Sequence, residues 1–264
     1  MRTVLTKALH DQRRGLIGWG IGILGLVLLE AALWPTVRDM PDLTQFLANY
    51  PEPMRKLFDL DTFGTGAGFL NGELFGSMLP MLLIFYGVAR GARSVAGEEE
   101  SGTLEILLLT PVTMGRLIVQ QAAALFAGLV ALGALIFVSV LLSSMLFAMG
   151  VGVGDLAAAT LSIVLLGFEF GCLALAVSAL TGRRAVAIGA GTAGAVAAYA
   201  WYVAGQMVDA VHSWQWLSPF AQAVGGGPLG AGLQLSDLSM LLVGLLLLAL
   251  AAPVADRRDL AVAH

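Results

Sequence analysis

A chain of 264 residues that is 58% hydrophobic and 12% charged, with a mean hydropathy of +0.85, lies far outside the range of soluble globular proteins and reads as an integral membrane protein. The net charge of −4, with Asp39, Asp42, Glu52, Asp59 and Asp61 gathered in one stretch, argues against nucleic acid as a partner. A single cysteine, Cys172, set inside an apolar run, excludes a disulfide framework and a cysteine metal site.

At the start of the chain, Val4, Leu5, Ala8 and Leu9 alternate with Lys7, Arg13 and Arg14 at a spacing that predicts a short interfacial helix over 1–14. A hydrocarbon core of about 30 Å needs roughly 20 apolar residues per helix. Six runs reach that length: Leu16 to Trp34, Phe69 to Ala89, Leu117 to Ala148, Leu156 to Leu180, Ala185 to Met207 and Leu238 to Val254. Between the first two, 35–68 predicts short amphipathic outer helices, ending in Gly64-Thr65-Gly66-Ala67-Gly68 as a flexible lead-in to the second span. The Gly/Ala-rich fifth span, Gly189 to Ala200, predicts a tightly packed helix. Before the last span, 208–237 holds Trp214, Trp216, Pro219 and Phe220, which suit a short outer helix pair dipping into the leaflet.

Of the fourteen Lys and Arg, Arg2, Lys7, Arg13, Arg14, Arg90, Arg93, Arg116, Arg183, Arg184, Arg257 and Arg258 fall on one side of this layout. Only Arg38, Arg55 and Lys56 fall on the other, which places both termini in the cytoplasm.

On the basic side, 90–116 interrupts the apolar pattern. Glu98, Glu99 and Glu100 precede Gly102; Thr103 is placed to cap a helix beginning at Leu104, with Glu105 in its first turn. Leu104, Leu107 and Leu108 share a face, and at 1.5 Å per residue the piece extends about 10 Å, too short to cross a bilayer. Thr110-Pro111 then supplies a second helix start leading through Arg116 into the third span. The short apolar helix has two places to go, a groove on another protein or the inner headgroup layer.

The string from Ala96-Gly97-Glu98-Glu99-Glu100-Ser101-Gly102-Thr103-Leu104-Glu105 to Leu109-Thr110-Pro111-Val112 resembles the hallmark of the ABC type-2 membrane permeases. That pattern reads glutamates, a small residue, Gly-Thr-Leu, an acid, leucines and then Thr-Pro-Val or Leu-Pro-Val. The basic N-terminus, the six spans and Leu217-Ser218-Pro219-Phe220 are similar too, so the likeness covers essentially the whole chain. Family members usually carry Lys or Arg where Ser101 stands, a departure that bears on one ion pair.

The resemblance implies an all-α, six-span permease with an N-terminal interfacial helix, a cytoplasmic coupling helix between spans two and three, and short extracellular helices before spans two and six. It implies a multi-pass subunit of a type V ABC exporter in the cell membrane, paired with a second permease copy or close paralogue and with two ATPase subunits. The ATPase-coupling residues would be Glu98, Glu99, Glu100, Gly102, Thr103, Leu104, Glu105, Leu107, Leu108, Thr110 and Pro111. No Gly-x-x-x-x-Gly-Lys-Ser/Thr loop occurs here, so ATP and Mg belong to the partner ATPase, and the chain itself is expected to be neither an enzyme nor a cofactor carrier.

Ionisable groups in hydrocarbon are costly and usually face protein or water. Glu30, Asn71 and Glu73 sit near the outer ends of the first two spans, as a shared polar cluster or as groups reaching the headgroups. Glu169 falls near mid-membrane between Gly167 and Gly171, either neutral and hydrogen-bonded between helices or facing water in a substrate path. Two other functions fit the same spans, an ion-coupled secondary transporter working through Glu169 and a non-transport scaffold or immunity protein.

Overall fold

The computed structural model describes residues 4–41, 60–100 and 113–257, with positions 47, 49–51, 54 and 55 between them. Among these residues no strand occurs, and six helices are long and apolar enough to cross a membrane.

The first is α1, Val4–Arg38. It runs without a break from the segment read as interfacial into the first span: the helix is continuous over 35 residues, about 52 Å, well beyond a hydrocarbon core of about 30 Å. Its early turns are held by packing on the bundle. Ala8 and Gln12 are buried, Gln12 Nε2 donates to the Ala124 carbonyl at 3.1 Å, and Arg90 donates to the Ala8 carbonyl at 3.0 Å.

The second span is assembled from α2 (Gly66–Leu70), a π-helical segment (Asn71–Met78) and α3 (Leu79–Ser94). The wider π register ends beside Pro80, which has no N–H to offer and whose ring would clash with the carbonyl four residues back in a regular helix. The glycines before it are no flexible lead-in. Thr65 caps α2 by accepting from the Gly68 amide at 3.0 Å, and a Cβ on Gly66 or Gly68 would collide with Met149 or Thr62. Glycine is required there for close approach.

Beyond it come α4 (Ala96–Glu100), α5 (Met114–Leu146), α6 (Val153–Thr181) and α7 (Arg184–Met207). Helix α6 stops at Gly182, whose φ of 62° is the left-handed cap that glycine adopts without a Cβ penalty. It is the centre of the bundle and the most buried of the six spans, whereas α7 is largely exposed. Within this chain, Gly191 of the Gly/Ala-rich fifth span meets Val88 and Ala174, while Gly189, Ala193 and Ala197 are exposed.

Before the last span, α8 (Asp209–His212), a 3-10 turn (Gln215–Leu217), α9 (Pro219–Val224) and α10 (Pro228–Ala231) stand where a helix pair was expected. Phe220, Val224 and Leu229 are buried in the bundle, while Trp214 and Trp216 stay exposed. The last span, α11 (Leu235–Ala255), opens with a capping box between Gln234 and Asp237. The largest apolar core joins Leu83, Leu125, Leu129, Phe168 and Leu175, from α3, α5 and α6.

Candidate functional site

At the basic end, α3 breaks at Val95 and the chain restarts as α4. Buried helix ends leave carbonyls and amides without intrahelical partners. Here one fully buried side chain serves both: Ser178 Oγ on α6 donates to the Ala92 carbonyl at 3.1 Å and accepts from the Ala96 amide at 2.8 Å. Either group left unsatisfied would cost about 1–3 kcal/mol, so Ser178 fixes where the acidic helix begins.

Two glutamates of α4 then point in different directions. Glu98 accepts from Lys7 Nζ of α1 through both carboxylate oxygens, at 2.9 and 2.8 Å. Glu100 Oε1 accepts from the Arg184 amide at 2.8 Å, the first turn of α7, where a carboxylate complements the positive helix end. Glu99 is half-buried between them. The Lys7–Glu98 pair is part-exposed and contributes about 0.2–1 kcal/mol, so its consequence is positional.

Behind α4, a polar cavity of about 20 Å³ is bounded by Lys7, Asp11, Arg90, Arg93, Glu98 and Gln121, space for about one water molecule. Tyr86 Oη donates to Gln12 Oε1 at 3.4 Å, extending the polar contacts toward the membrane interior. In this way α4 is joined to α1, α6 and α7 at their basic ends.

The continuation of α4 lies outside the described residues; Gly102, Thr103, Leu104, Glu105, Leu107, Leu108, Thr110 and Pro111 all belong to it. The described chain resumes at Thr113, which caps α5 by accepting from the Arg116 amide at 3.3 Å. The third span's helix therefore starts at Met114, three residues after the Thr110-Pro111 signal.

At the opposite end, Glu30 is buried and Glu73 is half-buried. Asn71 is used differently. Its Oδ1 accepts from the Leu229 amide at 2.9 Å and holds α10 against the second span.

Glu169 is buried on α6 where α11 passes at Gly244, and its Oε2 has no hydrogen-bond partner. The flanking glycines serve another contact: Gly167 and Gly171 meet Gly87 and Gly91 of α3. Sequence reasoning missed that pairing although both helices carry the same Gly-x-x-x-Gly spacing. It also missed Lys7 and Ser178, which carry no local signal beyond being polar residues near the basic ends of spans.

A family model described as ABC-2 family transporter protein matches residues 2–255, nearly the whole chain. Among curated proteins, none matches it.

Proposed function

Because the chain belongs to the ABC-2 family of transporter proteins, we propose that this multi-pass membrane permease is one half of an ATP-driven exporter. It pairs with a second copy or close paralogue, and two separate ATPase subunits bind ATP and Mg and supply the power stroke. Both termini and the segment from Arg90 to Arg116 face the cytoplasm, in keeping with the one-sided distribution of Lys and Arg.

The observation that supports this reading is the threefold attachment of α4. The acidic helix α4 precedes the apolar segment Thr103 to Thr110 in the chain, and its own bonds run to Lys7 on α1, Ser178 on α6 and the start of α7. An ATPase that closes on ATP and pushes that segment would move α4, and α4 would carry the displacement into three spans at once. Packed interfaces of this kind are bistable, so a small shift at the segment switches the permease between inward and outward states.

The test is Leu107→Asp combined with Leu108→Asp. If these side chains enter a groove on the ATPase, the double variant buries charge without a partner, and the ATPase should no longer copurify. Membrane abundance of the permease should stay normal, since the segment lies outside the bilayer, and substrate-stimulated ATP hydrolysis should be lost. Retained ATPase with normal transport would overturn the coupling role.

A further inference from the structure

We propose that the trough between α1 and α5 binds one anionic glycerophospholipid from the leaflet on the basic side of the bundle, with Arg13 holding its phosphate. The trough has a volume of about 370 Å³ and is walled by Ile17, Gly20, Leu24, Ala131 and Leu135, with Arg13 at its mouth. It exists because of two small residues. Gly20 lets α1 close to within contact of the Leu135 side chain, 3.2 Å from where a Cβ would stand, and Ala131 leaves the opposite wall low.

Its dimensions suit one acyl chain. From Arg13 to Leu24 the helix axis runs about 16 Å at 1.5 Å per residue. Half of a hydrocarbon core of about 30 Å is about 15 Å, so the trough covers the depth of a single leaflet.

Its charge selects the head group. Arg13 is the one charged residue lining the trough, it is exposed, and among the described residues it makes no ion pair. Of the neighbouring cations, Lys7 is engaged with Glu98 and Arg90 with the Ala8 carbonyl, and the exposed Arg14 does not line the trough. An arginine at the water–hydrocarbon boundary keeps its stem along apolar surface and its guanidinium at headgroup level, where it can donate to two phosphate oxygens at once. The larger groove on the other flank of α1, about 570 Å³ and lined by Gly15, Gly18, Trp19 and Gly22, has no charged residue along it and offers no such selection.

The experiment equilibrates the purified permease with nanodiscs of equimolar palmitoyl-oleoyl phosphatidylglycerol and phosphatidylcholine and counts retained lipids by native mass spectrometry. The wild type should keep one phosphatidylglycerol in preference to phosphatidylcholine. Arg13→Gln should lower that preference about fivefold, the effect of one basic residue at an anionic surface. Ala131→Phe, which fills the trough, should lower retention of both lipids. Arg14→Gln, equally exposed but not lining the trough, should leave the preference unchanged. Absence of the preference in wild type, its survival in Arg13→Gln, undiminished retention in Ala131→Phe, or an equal loss in Arg14→Gln would each overturn the site.

Discussion

Gly87 and Gly167 meet backbone to backbone where the second and fourth spans cross, with Gly91 and Gly171 repeating the contact one turn away. A Cβ on Gly87 or Gly91 would fall on the carbonyl oxygen of Gly167 or Gly171, with no flexible side chain able to move aside. In a bilayer, where lipid is as apolar as leucine, such close backbone approach supplies the dispersion contacts that hold spans together. Gly91→Leu should therefore destabilise by about 1–3 kcal/mol or more. Gly25→Ala, where the added methyl meets open space, should be neutral or stabilising. Thermal melting of both variants in one detergent checks this, and an unchanged melting temperature for Gly91→Leu would refute the crossing as a determinant of stability.

The Lys7–Glu98 pair joins α1 to the acidic helix at 2.8 Å. Lys7→Glu should reduce substrate-stimulated ATP hydrolysis several-fold while shifting stability by no more than about 1 kcal/mol, because the pair is part-exposed. Exchanging the charges, Lys7→Glu with Glu98→Lys, should recover most of the lost coupling. If the exchange is no better than Lys7→Glu alone, the pair is incidental to transmission.

Glu169 holds a buried carboxyl oxygen with no partner. An ATP-driven cycle requires no intramembrane proton relay, so Glu169→Gln should keep ATP-dependent transport within a few-fold of wild type. Glu169→Met, of similar length, should raise the melting temperature by removing an unsatisfied polar group whose burial costs about 1–3 kcal/mol. Complete loss of transport in a normally assembled Glu169→Gln protein would point instead to proton coupling.

Orientation is read by labelling. Cysteines placed at the exposed positions Asn49 and Ser213 should react with an impermeant external thiol reagent in intact cells, and one at Ser101 should not. The native Cys172 is buried and contributes little background. External labelling at Ser101 would invert the topology and remove the segment after α4 from any cytoplasmic ATPase.

Much of this fold was already written in the sequence. In hydrocarbon every backbone amide and carbonyl must be satisfied within its own helix, so hydropathy over about 20 residues identifies each span, and the six apolar runs reappear as the six long helices. The acidic string beginning at Ala96 was also legible, since its glutamates, glycine and leucines are contiguous, and the family model confirms the kinship it suggested. Partners were not legible. Lys7 and Glu98 are 91 residues apart and Asn71 and Leu229 are 158 apart, and nothing local to either end names the other. Gly-x-x-x-Gly on two helices marks faces capable of close approach without saying which faces meet. Likewise, Ala8 and Gln12 of α1 find contacts on α3 and α5, whereas its own residues named only a short interfacial helix. Local free energies determine which segments become spanning helices, and only the simultaneous packing of all of them decides which polar groups meet at the ends.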